Sequence, residues 1–180
     1  MSDSWHAGLL RTKVLARIAA FAMSRERIQK FAFKVVSQTG IHYRKSSLST
    51  SLTGLPAGAP QAGDRFPWLR LKLQPNGPVE DMFEKLNDTQ FHLIVIGQQA
   101  PAEEVPNLDE LLRIHVIPRD LVNDLELARA GLPQPSYFLV RPDGHIGLRG
   151  IRPDANAIEH YFSEKIHLTK RTAARVKRVA

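Results

Sequence analysis

Apolar positions recur along this chain with two periods, and the changes of period mark its elements. Over residues 8–22, Leu10, Val14, Ile18 and Phe21 return at helical spacing with Arg11, Lys13 and Arg17 between them, which predicts an amphipathic helix. Ser24 can cap a second helix running to about residue 37, with Ile28, Phe31, Ala32 and Val35 on one face. Residues 68–73 alternate instead. Leu69, Leu71 and Leu73 fall on one face and Arg70 and Lys72 on the other, the pattern of a half-buried strand. Pro75-Asn76-Gly77 turns the chain, and Pro78 opens a predicted helix. Glu80 and Asp81 sit in its first turn, and Val79, Met82, Phe83 and Leu86 form its stripe. Residues 91–97 (FHLIVIG) are almost all apolar, as expected of a central strand covered on both faces.

The next segments are shorter. Asn107 can cap a brief helix through Leu112, residues 114–117 read as a strand, and a helix is expected from about 119 to 130, ended by Gly131. Residues 136–141 are rich in aromatic and β-branched side chains, Pro142-Asp143-Gly144 is a turn, and 145–149 return as the second arm of a hairpin. A last helix starts near Pro153 and Asp154 and buries Ile158, Tyr161 and Phe162. Residues 45–63, rich in Ser, Gly, Pro and Ala with little periodicity, read as a linker.

From residue 65 the predicted order is β-α-β-α-β-α-β-β-α, an α/β arrangement of the thioredoxin-like kind (βαβαβαββα) with an N-terminal helical extension. The expected division is 1–44 helical extension, 45–63 linker, 64–164 thioredoxin-like domain and 165–180 basic tail. Folds of this type usually carry a proline, often cis, at the start of the strand before the hairpin turn, and Pro135 stands there. The reactive thiols of a thioredoxin would follow the second strand. Here that place holds GQQAPAEEVP (97–106), with no thiol.

Composition narrows the chemistry further. The 180 residues contain no cysteine, which excludes disulfides, thiolate catalysis and cysteine-based zinc sites. No apolar run has the length of a membrane span, and the first ten residues hold Asp3 and no basic residue, unlike a signal peptide, so a cytoplasmic location is expected. Charge is unevenly placed. Residues 1–48 carry nine Lys/Arg and two Asp/Glu, 49–164 carry ten and sixteen, and 165–180 carry six and none. The basic character thus sits in two flanks around a mildly acidic body. This weakens the reading of the chain as a module for nucleic acid or anionic membrane, which stays as the alternative. The seven histidines show no metal-type spacing, and no metal site is expected. His92 and His115 fall on neighbouring predicted strands, where a structural pair is the plain expectation. Arg141, Asp143, Arg149 and Arg152 gather around the hairpin, read as turn chemistry and surface ion pairs or as an anion or subunit contact.

Three stretches, SQTGIHYRKSSLS (37–49), AGDRFPWLRL (62–71) and VRPDGHIGLRG (140–150), together resemble the C-terminal part of FAD-dependent aromatic-ring hydroxylases, the class A flavin monooxygenases of phenol- and chlorophenol-hydroxylase type. The resemblance covers about residues 8–164. It implies a terminal module that supports a flavin-binding catalytic domain or subunit and contributes to homo-oligomer formation. It also implies a family reaction in which FAD and NAD(P)H serve oxygen-dependent hydroxylation of an aromatic ring. The Rossmann GxGxxG that holds the FAD pyrophosphate does not occur in this chain. Gly63-Asp64 looks like the family's second flavin motif but matches the terminal-domain motif instead. The expectation is therefore a non-catalytic module, truncated or separately encoded, that binds no cofactor alone. Its structural landmarks are Gly63, Asp64, Pro135, Arg141, Pro142, Asp143 and Gly144.

Overall fold

A computed structural model describes residues 41–101 and 111–168. The helices expected over 8–22 and 24–37, the Asn107 cap and the tail from residue 169 lie outside them. The described part is a mixed α/β body. Its main sheet has five strands in the order β1-β7-β6-β4-β5: β1 (Thr50–Ser51), β7 (Ile146–Gly150), β6 (Ser136–Val140), β4 (Phe91–Ile96) and β5 (Leu112–Ile117). Strands β4 and β5 run parallel, β6 is antiparallel to both β4 and β7, and β1 lies parallel to β7. A separate two-stranded unit pairs β2 (Arg70–Lys72) with β3 (Val79–Asp81). Two helices complete the described elements, α1 (Leu121–Arg129) and α2 (Ala155–Lys165). No helix among the described residues is long and apolar enough to cross a membrane.

Burial follows the alternation of the strands. Ile94 and Ile96 of β4 with Phe138 and Val140 of β6 point to one face of the sheet. There they meet Phe66, Leu69, Leu71 and Met82 from the β2–β3 unit and Leu127 of α1. Leu93 and Val95 with Tyr137, Leu139 and Leu148 point to the other face and meet Ile158, Tyr161 and Phe162 of α2. The sheet is thus sandwiched between two layers, which is why β4 and β6 read as unbroken apolar runs. Each helix begins at an aspartate whose side chain accepts an amide hydrogen of the first turn, Asp120 from Val122 and Asp154 from Asn156.

Three expectations are corrected. The helix expected after Pro78 is β3 followed by one 3-10 turn, Met82–Lys85, capped by the Asp81 carboxylate on the Phe83 amide at 2.9 Å. The turn at 75–77, with Asn76 at φ 60, folds 79–81 straight back onto β2, so these residues spend their backbone groups on pairing. Three of the four apolar positions of the supposed stripe still face inward, Met82 buried and Phe83 and Leu86 at the core's margin, while Val79 is exposed.

The strand over 68–73 has the predicted facing, with Leu69 and Leu71 fully buried, but it does not join the main sheet. Its free edge is taken by α1. Asn123 accepts from the Lys72 amide at 2.8 Å and donates to the Lys72 carbonyl at 3.0 Å, and Glu126 accepts from the Arg70 amide at 3.1 Å. A buried side-chain amide thus replaces a neighbouring strand.

Residues 45–63, expected as a linker, carry β1 and are fastened to β7. The Arg149 guanidinium donates to Ser51 Oγ at 3.1 Å and to the Pro60 carbonyl at 3.0 Å, and the Tyr161 hydroxyl donates to the Leu48 carbonyl at 2.8 Å. Composition signalled irregular backbone there, and irregular backbone can still be tied down by distant side chains.

Candidate functional site

The three stretches that carry the family resemblance meet at one end of the β6–β7 hairpin. The hairpin turn closes with the Gly144 amide donating to the Arg141 carbonyl at 2.8 Å, Pro142 at its second position and Gly144 at φ 78. Asp143 fixes it from the side, accepting from the Arg141 guanidinium and from the His145 amide at 3.1 Å. Residues 63–66 then run alongside 144–146. Gly63 donates to the Ile146 carbonyl (2.7 Å), Ile146 to the Asp64 carbonyl (2.9 Å) and Phe66 to the Gly144 carbonyl (2.9 Å). Residues 42–44 close the third side, with the Tyr43 amide donating to the Gly63 carbonyl at 2.7 Å and the Tyr43 ring edge-on to His145 at 4.9 Å.

Asp64 is the centre of this junction and is 8% exposed. Its Oδ1 accepts from Arg44 Nε at 2.6 Å and lies 2.9 Å from His42 Nδ1. Its Oδ2 accepts from Arg44 Nη2 at 2.9 Å and from the Gln61 amide at 2.8 Å. Burial pushes its pKa upward. The hydrogen bonds from Arg44 and Gln61 and the charges of Arg44 and His42 outweigh that and hold it below the usual carboxylate range. Gly63, at φ 87, has no room for a side chain: a Cβ there would lie 2.3–2.5 Å from the backbone of Tyr43 and Arg44. Both residues are therefore used up by the fold. The Asp64 carboxylate is taken up by three hydrogen bonds and the neighbouring His42, and the space beside Gly63 that a cofactor would need is filled by chain. The pair does not fit a flavin.

Of the landmarks, Gly63, Asp64, Arg141, Pro142, Asp143 and Gly144 lie together. Pro135 does not: it precedes β6 at the opposite end of the strand. The Gln134–Pro135 bond is cis. Pro135 stands beside Gly97, where a Cβ would come 3.7 Å from the proline Cα, and Gln98 donates from Nε2 to the Ser136 carbonyl (3.0 Å) and the Ile151 carbonyl (2.6 Å). The Gln98 carboxamide thus ties the start of β6 to the chain beyond β7.

Arg149 is corrected from a surface charge to a buried one, 5% exposed, whose partners are carbonyls and a hydroxyl. Burial lowers its pKa, against the pull of the nearby Asp64 charge. His42 and Arg44 were not singled out as partners of Asp64. The only signal for them in the sequence was their place in the same resembling stretch, since nothing local to residue 44 points to a carboxylate twenty positions on.

His92 and His115 do meet, on the face of β4 and β5 that carries Ile94 and Ile117. His92 Nδ1 lies 3.0 Å from His115 Nε2, and His92 Nε2 lies 3.1 Å from the Asn87 carbonyl. Burial lowers both pKa values, His115 to about 4 with help from the His92 and Arg113 charges. Among the described residues there is no group of three or more His, Cys, Asp or Glu able to hold a metal.

No family model and no curated protein sequence matches the chain. Solved structures do. The chain is similar to aklavinone-11 hydroxylase in its ternary complex with FAD and aklavinone, with a TM-score of 0.52 at 19% identity over 71% of this chain and 26% of that one. It is likewise similar to the OxyS anhydrotetracycline hydroxylase from Streptomyces rimosus, with a TM-score of 0.52 at 15% identity over 86% of this chain and 29% of that one. The fold is shared at this level. The chain spans between a quarter and a third of the length of these hydroxylases.

Proposed function

We propose that the chain is a thioredoxin-like, non-catalytic terminal module of the FAD-dependent aromatic-hydroxylase kind, with residues 64–164 as its body. Its role is to support a flavin-binding catalytic part and to contribute to subunit association. The observation that carries this reading is the convergence of residues 42–44, 63–66 and 141–146. Three stretches picked out separately by resemblance form one hydrogen-bonded junction around Asp64. The strand order β5-β4-β6-β7, with one parallel and two antiparallel pairings, and the proline before β6 support the thioredoxin-like assignment. The fold shared with parts of two hydroxylases, one of them solved with FAD, supports the family assignment.

On this reading FAD and NAD(P)H belong to the partner. The chain's own glycine–aspartate pair is closed by Arg44, His42 and Gln61, and no reaction step is assigned to its residues. Two measurements test the proposal. Equilibrium dialysis of the purified chain against FAD should leave no stoichiometric flavin on the protein; retention of one flavin per chain would refute the non-catalytic reading. Sequencing the transcript to either side of this reading frame should show a Rossmann-type flavin-binding region in the same or an adjacent frame, and its absence would remove the proposed partner.

A further inference from the structure

The outer face of α1 and the β2–β3 unit carries apolar surface that the core does not use. Asn123 and Leu127 turn the inner face of α1 toward the core. On the opposite side Leu121 is 75% exposed and Leu125 67%, one helical turn apart, so they form a ridge that points into solvent. Beside the ridge runs an open groove of about 670 Å³, walled by Val122 and Leu125 on the helix and by Trp68 and Val79 on the strand unit. Trp68 is half exposed and yet fixed in place. Its Nε1 donates to Asp81 Oδ2 at 2.8 Å, and Asp81 Oδ1 accepts from the Phe83 amide at 2.9 Å. An indole pinned in this way loses little conformational freedom on being covered, which is what favours tryptophan as an anchor of protein contacts.

We propose that this face pairs with itself across a two-fold axis and joins two copies of the chain. Ridge and groove lie side by side on it, so the Leu121–Leu125 ridge of each copy enters the groove of the other. That is the self-complementarity an isologous contact requires. Trp68, Val79, Leu121, Val122 and Leu125 together expose roughly 500 Å², near the upper end of what a monomer leaves in one apolar patch. Two such faces bring together about 1,000 Å² before any polar rim is counted, close to the roughly 1,200 Å² at which specific interfaces begin. The charges along the groove do not oppose the contact. Glu126 and Arg129 neutralise each other at 2.7 Å, Arg129 also donates to the Trp68 carbonyl at 3.0 Å, and the Arg70 side chain is exposed. The inference rests on the reading of the chain as a module for subunit association, and adds to it the face and the partner.

The test uses the full chain. Sedimentation equilibrium across about 1–100 μM should show monomer and dimer in exchange. With Trp5→Phe leaving Trp68 as the sole tryptophan, acrylamide quenching should fall as the dimer fraction rises. Leu125→Glu and, separately, Leu121→Glu should weaken dimerisation at least tenfold, because a two-fold contact buries each new carboxylate twice. Neither leucine belongs to a core cluster, so the circular dichroism of both variants should stay that of the wild type. Leu52→Glu, at an exposed leucine outside the groove, should leave the dimer unchanged. A chain that stays monomeric throughout, a dimer indifferent to both α1 substitutions, or an equal loss in Leu52→Glu would overturn the proposal. Retention of FAD counts against the non-catalytic reading alone and does not alter these outcomes, so the two failures are told apart.

Discussion

Replacing Asp64 by asparagine tests the junction that defines this module. The carboxylate accepts three hydrogen bonds, from Arg44 Nε on Oδ1 and from Arg44 Nη2 and the Gln61 amide on Oδ2, and His42 Nδ1 lies 2.9 Å from Oδ1. An asparagine has one acceptor and one donor end. Whichever way it is turned, its NH2 faces at least one donor hydrogen of Arg44 and leaves it without an acceptor. Hydrogen bonds to a charged group contribute about 1.5–3 kcal/mol. The Arg44 side chain is 55% exposed, so water recovers part of its loss, and the cost of Asp64→Asn settles near the lower half, about 2 kcal/mol.

For a chain of this size that lowers Tm by about 4–8 °C at pH 7, read by calorimetry or near-UV circular dichroism. The sign with pH is fixed by the lowered pKa. The contribution is fully present above the unfolded-state value, about 3.9, and is lost as pH falls through the lower folded value. The gap between wild type and variant should therefore close on the acid side. A fall in Tm below about 1 °C at pH 7, or a gap as wide in acid as at neutrality, would refute the account of Asp64 as the junction's charged staple.

Other outcomes follow from the same contacts. Gly63→Ala combines a strained φ of 87 with backbone atoms at 2.3–2.5 Å and should cost about 3 kcal/mol or more, seen as a collapse of the denaturant midpoint. Asn123→Leu keeps the volume of a fully buried side chain but strips the Lys72 amide and carbonyl of their partner. It should cost about 2–4 kcal/mol and raise hydrogen exchange in β2 first. Tyr161→Phe removes one bond to the Leu48 carbonyl and should cost about 1 kcal/mol with the denaturant slope unchanged. Acid should destabilise the protein in two stages. Histidines held neutral lose their contribution as pH falls from about 6.5 toward about 4, and Asp64 loses its own below that, so in His115→Gln the upper stage of a pH–stability curve should shrink.

Much of this was legible in the residue pattern. The unbroken apolar run of β4, the hairpin closed by Pro142-Asp143-Gly144 and the inward face of α2 at Ile158, Tyr161 and Phe162 are local properties, because periodicity and turn chemistry act within a few residues. The pattern around Val79, Met82 and Phe83 misled for a physical reason. Their apolar spacing fits either a helical stripe or a strand followed by a tight turn, and only pairing with β2, which leaves Val79 exposed, separates the two. Of the candidate site, the sequence held the landmarks but not their partners.

By itself, then, the sequence determined most of the apolar core, where the hairpin turns and that no thiol can act. The tertiary structure decided who satisfies whom. Asn123 takes the edge of a strand 51 positions earlier, Arg44 closes Asp64 across 20, and Arg149 holds the carbonyl of Pro60 across 89. Burial is a property each side chain carries along the chain. A hydrogen bond across the fold belongs to two groups whose meeting depends on everything packed between them.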